Sequence, residues 1–350
     1  MAAKTVIETA QEFAQEALSR TPVIVLGSGA SAAHGVPGMA ALGSRLKAIV
    51  APSTWSTSEK VEWDKFYSQL DSGIDLESAL GEVRLSDRQT AQVAETTRDF
   101  LLPSDMNVFA ALLSDRRSLP LTRLYRHLFT STHRTVDVIT PNYDRLAEYA
   151  ADAADFSCFT GFTNGHLQVR AKDANARVHH GNEATRTVCV WKVHGSLDWF
   201  EDSSHQIIGA RSCRETPAGY SPLMITPGLD KYRLAHLEPF RTIFSCSDSA
   251  LEKARSYLCI GYGFNDEHLQ TKLVERCDAE SVPIVVIAME LTPATKAFLN
   301  SGRVRSYVAM ERCHGGTRVY TSDVPGGSDV LGEEHWRLDR FLDLTVGAAA

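Results

Sequence analysis

The run Val23-Ile24-Val25-Leu26 meets Gly27-Ser28-Gly29 with no charged residue between them. Four apolar, mostly β-branched residues without polar alternation read as a short strand buried on both faces, as in a parallel sheet covered by helices. Such a strand needs parallel neighbours, and parallel neighbours need crossover connections. Comparable runs lie at Val136 to Thr140, Val188 to Val193, Tyr257 to Gly261 and Pro283 to Met289. Ahead of the first, Val6, Ala10, Phe13 and Ala17 recur at helical spacing over about residues 4 to 19, and Thr21-Pro22 ends that helix. Strands alternating with helices predict an α/β fold built on a doubly wound parallel sheet.

One stretch breaks the alternation. From about 58 to 131 only helical patterns occur: Val61 to Leu70, Leu76 to Leu85, Thr90 to Leu102, Asn107 to Leu113 and Leu121 to Phe129. They predict an inserted helical lobe, with the Trp55 and Trp63 region as its packing. A polar insertion follows at about 156 to 186, read as a hairpin or loop from Asn164-Gly165, Gly181-Asn182 and His179-His180; residues 201 to 222 are equally loose. A closing helix at about Glu333 to Leu344 leaves 346–350 as a frayed tail, so one domain is expected over 1–345.

Composition narrows the function. With 36 Lys and Arg against 43 Asp and Glu, the 350 residues carry a formal charge of −7. No basic run is present, so no direct nucleic-acid partner is expected. Seven cysteines form no C-x-x-C pair, which argues against a zinc ribbon or a disulfide scaffold and for reduced thiols. Glu8, Glu12 and Glu16 interrupt the N-terminal apolar residues, unlike a signal peptide, and no apolar run could span a bilayer. The expected location is the cytoplasm, with no membrane contact and no metal. His179-His180 near Cys189 lacks metal-ligand spacing, and Cys313-His314 has no activating context.

Chemistry concentrates at four strand ends. Gly27-Ser28-Gly29-Ala30-Ser31-Ala32 has the G-x-G-x-x-A spacing of a Rossmann-like dinucleotide turn, where backbone N–H groups can approach a pyrophosphate. A tight strand-to-helix turn would use the same glycines. A hydride-transfer enzyme wants an acidic residue about 20 positions on, and none occurs from Gly38 to Ser58. The chain instead continues through Gly35, Val36 and Pro37, a stiff extended lid. The second end, Thr140-Pro141-Asn142-Tyr143-Asp144, brings polar side chains to the edge where open α/β sheets bind ligands, although Asn142 and Asp144 would also serve as helix caps. The third, Lys192-Val193-His194-Gly195-Ser196-Leu197, delivers a histidine. The fourth, Gly261-Tyr262-Gly263-Phe264-Asn265-Asp266, is a glycine turn opening a helix capped by Asn265 or Asp266.

In this order, the four ends resemble the sirtuin-like superfamily, most closely its bacterial branch of NAD-consuming antiviral defence proteins. The resemblance rests on Gly27, Gly29, Ser31, Gly35 and Pro37, then Thr140, Asn142 and Asp144, then His194 and Gly195, with K-x-H-G-S-L and G-Y-x-F-N-D particular to the bacterial branch. It implies NAD as substrate and a NAD glycohydrolase that yields nicotinamide and ADP-ribose. Gly27, Ser28, Gly29, Ala30 and Ser31 would face the pyrophosphate, with Gly35, Pro37 and Thr140 beside them. Asn142, Asp144 and His194 would form the catalytic set: Asn142 on the nicotinamide ribose or the attacking water, Asp144 on the carboxamide, and His194 as general base. Gly261, Tyr262, Gly263, Asn265 and Asp266 would line the adenosine side, and Glu290 would reach its ribose hydroxyls.

Three departures count against protein deacylation. The C-x-x-C pairs are missing, Met39 stands where the deacylases have phenylalanine, and Pro141 stands for the usual glutamine. A zinc-free deacylase and a non-catalytic NAD or ADP-ribose sensor are the rival readings. The resemblance further implies antiphage defence by NAD depletion. Control would come through a homo-oligomer or a ring-forming ATPase partner. Lys231, after Pro227-Gly228, fits a recurring pattern of that branch without an assigned role.

Overall fold

A computed structural model describes residues 4–171, 178–226 and 236–348. Lys231 and the Pro227-Gly228 step lie outside these residues. The five predicted strands join four that the sequence reading did not place, at Ser157–Phe159, Tyr307–Cys313, Gly316–Thr321 and Val324–Leu331, in one sheet of nine. Its parallel part runs from β13 (Tyr307–Cys313) through β12 (Ile284–Ile287), β11 (Tyr257–Ile260), β1 (Val23–Leu26), β2 (Thr135–Thr140) and β7 (Thr187–Lys192) to β3 (Ser157–Phe159). In register, Ile24 faces Leu258 on one side and Val138 on the other. All four residues of β1 are buried.

Both faces of the sheet are covered, which is why its strands lack polar alternation. Ile24, Leu26, Val138, Val190, Leu258 and Val285 turn to a layer built from α1 (Val6–Ser19), α7 (Pro120–Leu128), α8 (Leu146–Ala153) and α12 (Leu338–Val346). Val23, Val25, Ile139, Trp191, Cys259 and Val286 turn to α9 (Phe240–Lys253), α10 (Glu267–Ala279) and α11 (Pro293–Leu299). Adjacent residues thus serve opposite cores, as the two-residue period of a strand demands.

The structure corrects the expectation in several places. The sheet is mixed, because β14 (Gly316–Thr321) and β15 (Val324–Leu331) add to β13 antiparallel; β14 mixes polar with apolar residues and β15 is largely exposed, so neither shows an uninterrupted apolar run. Residues 201 to 222 are no loose segment, since strands run through and beyond both of their ends. These strands are β8 (Gly195–Asp202), β9 (Ile207–Ala210) and β10 (Tyr220–Met224), which pair with β4 (Leu167–Val169) in a second, antiparallel sheet. In the polar insertion β5 (His179–His180) and β6 (Glu183–Ala184) do pair as a hairpin, in line with the expectation there. The closing helix begins at Leu338, five residues later than expected.

The helices predicted over Thr90 to Leu102 and Asn107 to Leu113 are a single α6 (Asp87–Ser114) running through Pro103. Proline removes one donor and leaves the carbonyl four residues back unpaired. Both Pro103 and Asp99 face solvent, where water can take that carbonyl. A separate core holds the helical insertion together. Leu42 and Leu46 of α3 (Met39–Lys47), Trp63 and Phe66 of α4 (Thr57–Asp71), and Leu76, Ala79 and Leu80 of α5 (Leu76–Gly81) pack around Trp55. The indoles of Trp55 and Trp63 meet edge to face at 5.3 Å.

Candidate functional site

The four strand ends meet at the carboxyl edge of the sheet. Gly27 and Gly29 close the turn into α2 (Ser28–Ala32), and Gly261 follows β11, the neighbour of β1. Gly261 has φ +56°, and a Cβ there would lie 2.2 Å from the amide nitrogen of Ala30. A Cβ on Gly27 would lie 2.3 Å from the carbonyl oxygen of Gly261. The glycines therefore let two turns interlock. Their amides are spent on this: Gly27 donates to the Ile260 carbonyl, Gly29 to that of Gly261 and Ala30 to that of Gly27, each at 3.0 Å. The turn that sequence offered as a run of free N–H donors leaves mainly Ser28, exposed at the start of α2, to face a ligand.

Thr140, last residue of β2, donates its hydroxyl to the Leu26 carbonyl and accepts from the Asn142 amide, each at 3.0 Å. Asn142 Nδ2 then donates to the Gly27 carbonyl and to Ser31 Oγ at 2.9 Å. The amide nitrogen is thereby committed to the glycine turn, which leaves Oδ1 as the group the side chain can offer a ligand. Asp144 Oδ1 accepts from the Leu146 amide at 3.3 Å just ahead of α8, whose N-cap position is Arg145, while Asn142 is spent on the glycine turn and caps nothing.

His194 leaves β7 at a corner that only glycine can follow. Gly195 has φ +93°, and a Cβ would strike the Leu223 carbonyl oxygen at 2.5 Å. The His194 carbonyl accepts from Ile225 at 2.9 Å, and Tyr143 donates to the Ile225 carbonyl at 2.7 Å. The imidazole Nε2 stands 3.1 Å from Asp266 Oδ2.

Beneath these loops runs a buried charged layer. Lys192, fully buried, donates to the Asp144 carbonyl and lies 3.2 Å from Glu148 Oε1. Burial pushes the Asp144 carboxyl above its ordinary range, against the pull of Lys192 and a hydrogen bond from Ser31; Glu148 is pushed up by burial too. Asp105 of α6 accepts from the Arg145 backbone at 2.7 Å, from its guanidinium at 2.5 and 3.0 Å, and from the Tyr149 hydroxyl at 2.6 Å. Arg98 of α6 reaches the carbonyls of Leu197, Cys213 and Arg214. One helix of the insertion thus pins both the Asn142 loop and the strand after His194.

Between the loops opens a cavity of about 380 Å³, within the usual range of ligand pockets. Gly27, Ser28, Gly29, Ser31 and Pro37 line one side; Asn142, Asp144 and His194 the second; Gly261, Tyr262, Gly263, Asn265, Asp266 and Glu290 the third. Three of the expected site residues do not line it. Thr140 is turned inward by its two hydrogen bonds, Ala30 and Thr140 border a neighbouring chamber behind α2, and Gly35 serves a left-handed turn with φ +81°. Sequence reasoning had not placed Met39, Glu77, Leu101, Tyr143, Ile225, Thr226 or Thr292 in the wall. Tyr143 sits inside a motif already chosen. Glu77 comes from α5, and nothing in its local sequence tells it from any solvated helix carboxylate. Among the described residues of the wall, Glu77, Asp144, Asp266 and Glu290 are acidic and none is Lys or Arg. No described helix is long and apolar enough to cross a membrane, and no group of three or more His, Cys, Asp or Glu among the described residues could hold a metal ion.

Residues 136–297 match the family model described as a SIR2-like domain. This span includes Asn142, Asp144, His194, the Gly261–Asp266 turn and Glu290, and leaves out the first glycine turn. No curated protein matches. Among solved structures, the chain is similar to one from work on the mechanism and regulation of Sir2 enzymes, at 14% identity over 82% of this chain and 89% of that one, TM-score 0.42. It is similar also to a Sir2 homolog–NAD complex at 13% identity over 85% and 87%, TM-score 0.42, and to Sir2Tm bound to a propionylated peptide at 13% over 81% and 88%, TM-score 0.41.

Proposed function

We propose that this chain, whose residues 136–297 match the model of a SIR2-like domain, is a NAD glycohydrolase, releasing nicotinamide and leaving ADP-ribose. The observation that carries the proposal is that Asn142, Asp144 and His194, brought from two strand ends, share one cavity with both glycine turns. Loss of nicotinamide from C1′ builds positive charge on the ribose, as in glycoside cleavage. A wall that holds Glu77 and Glu290 beside the catalytic set and no described cationic side chain favours such a charge electrostatically. Asn142 Oδ1 orients a ribose hydroxyl or the attacking water, and His194 takes the proton released. Ser28, with its exposed hydroxyl and amide, faces the pyrophosphate. Asp144 is held for the carboxamide by Ser31 and the start of α8.

The resemblance of the motifs to the bacterial branch extends the proposal to antiphage defence by NAD depletion, in the cytoplasm, with activity controlled through self-association or a ring-forming ATPase. The test is nicotinamide release by the purified chain, with and without such a partner, using Asn142→Ala and His194→Ala as controls. Release into water, lost in both variants, supports the hydrolase. Turnover only when an acyl-lysine peptide is added makes it a deacylase, and NAD binding without turnover under every condition makes it a sensor.

A further inference from the structure

We propose that Asp266 is the positioning residue of His194, acting on the imidazole rather than on the dinucleotide; the catalytic part of this inference rests on the hydrolase reading above. Asp266 Oδ2 stands 3.1 Å from His194 Nε2, with the two side chains 8% and 13% exposed. Its other oxygen accepts from the Leu269 amide at 3.3 Å, so the carboxylate is anchored as the N-cap of α10 and cannot swing away without uncapping that helix. The histidine is fixed from the opposite side, through Gly195 and the hydrogen bond from Ile225 to its carbonyl.

The two ring nitrogens are therefore unequal. Nε2 is closed off from solvent and without a hydrogen-bond partner as the ring stands, and the Asp266 carboxylate is its neighbour at 3.1 Å, an approach that a small turn of the ring makes a hydrogen bond. His194 lines the cavity while its Nε2 is buried, so the nitrogen left for a ligand to reach is Nδ1. A carboxylate beside one nitrogen favours the tautomer with its proton there and makes the other the base. When Nδ1 accepts a proton from a ribose hydroxyl or a water, the imidazolium gains an ion pair with Asp266, which stays ionised, as in the histidine–carboxylate pairs of hydrolases. The sequence motif that carries Asp266 belongs to the adenosine side of the expected site, more than 70 positions from His194. Only the fold joins them.

Two variants keep the helix cap, since Asn and Ser are both good N-caps. Asp266→Ser is too short to reach the ring, whereas Asp266→Asn keeps an acceptor without the charge. In the full-length protein labelled with ¹⁵N-histidine, the signal of His194, assigned by its loss in His194→Gln, should report a proton on Nε2 in the unliganded native chain. That preference should be lost in Asp266→Ser and retained in Asp266→Asn. Nicotinamide release should fall on the order of 10²-fold in kcat for both variants, with the Kd for NAD unchanged, because the pair serves proton transfer rather than binding. An unchanged tautomer in a folded Asp266→Ser variant overturns the proposal, as does a loss confined to KM. If the native chain releases no nicotinamide at all, the hydrolase reading fails, while the spectrum still decides whether Asp266 sets the state of His194.

Discussion

Asn142 Nδ2 and Ser31 Oγ are 2.9 Å apart, and the same amide nitrogen also holds the Gly27 carbonyl at 2.9 Å. The loop after β2 is thus stitched to the turn after β1 by the side chain assigned to the ribose. Asn142→Ala should lower nicotinamide release on the order of 10²-fold through loss of one preorganised group. Ser31→Ala, which removes only the partner, should cost less in kcat. Steady-state kinetics on the two variants and the double variant check this; equal losses in both singles would contradict the ranking.

Asp144 carries a pH signature. Burial raises its native pKa, so the folded state binds this proton more tightly than the unfolded chain does. Its stabilising contribution is full below the unfolded carboxylate value of about 3.9 and is lost as the pH rises through the higher native value. Asp144→Asn keeps the acceptor for the Leu146 amide without the charge. The variant should melt above the native protein at pH 7, with the gap closing toward pH 4, and should be inactive. Melting curves across that range test the direction.

Lys192 lies in the buried layer beside Glu148 and under the Asp144 carbonyl, the cation closest to that pair of carboxyl groups. Lys192→Met leaves both carboxyl groups in a dry interior without it, and removing one partner of a buried pair typically destabilises by about 3–5 kcal/mol. Denaturant unfolding should show a loss of that size at pH 7 and a smaller one at pH 4, where both carboxyls are closer to neutral.

Glu290 follows β12 and faces the cavity, whose described wall holds no Lys or Arg. A carboxylate suits the two hydroxyls of an adenosine ribose and repels a 2′-phosphate. Native protein should therefore turn over NAD in preference to NADP. Glu290→Gln should narrow the ratio of kcat/KM values by about tenfold, or 1.4 kcal/mol. An unchanged ratio would place the ribose elsewhere.

Much of this was legible in the chain because it is local. β1 is apolar at every position and therefore belongs inside a covered sheet, and the helical spacing of Val6, Ala10, Phe13 and Ala17 marks α1, which stops just before Thr21-Pro22. The sequence alone determined five of the seven parallel strands, their order along the chain and the polar residues at their ends, and missed β3 and β13. Other features depended on partners far away in sequence. The hairpin strands β14 and β15 show no uninterrupted apolar run, and α6 continues through Pro103 because that turn faces water. The amides of Gly27 and Gly29 look free until Gly261 arrives to accept from one of them. Tertiary structure alone decided that α6 pins the Asn142 loop through Asp105, that Glu77 enters the cavity from the helical insertion, and that Asp266 stands against His194. Periodicity and turn chemistry act between neighbours along the backbone. A hydrogen bond or an ion pair acts at about 3 Å through space, and only the packed sheet brings residues 27, 142, 194 and 266 within that reach.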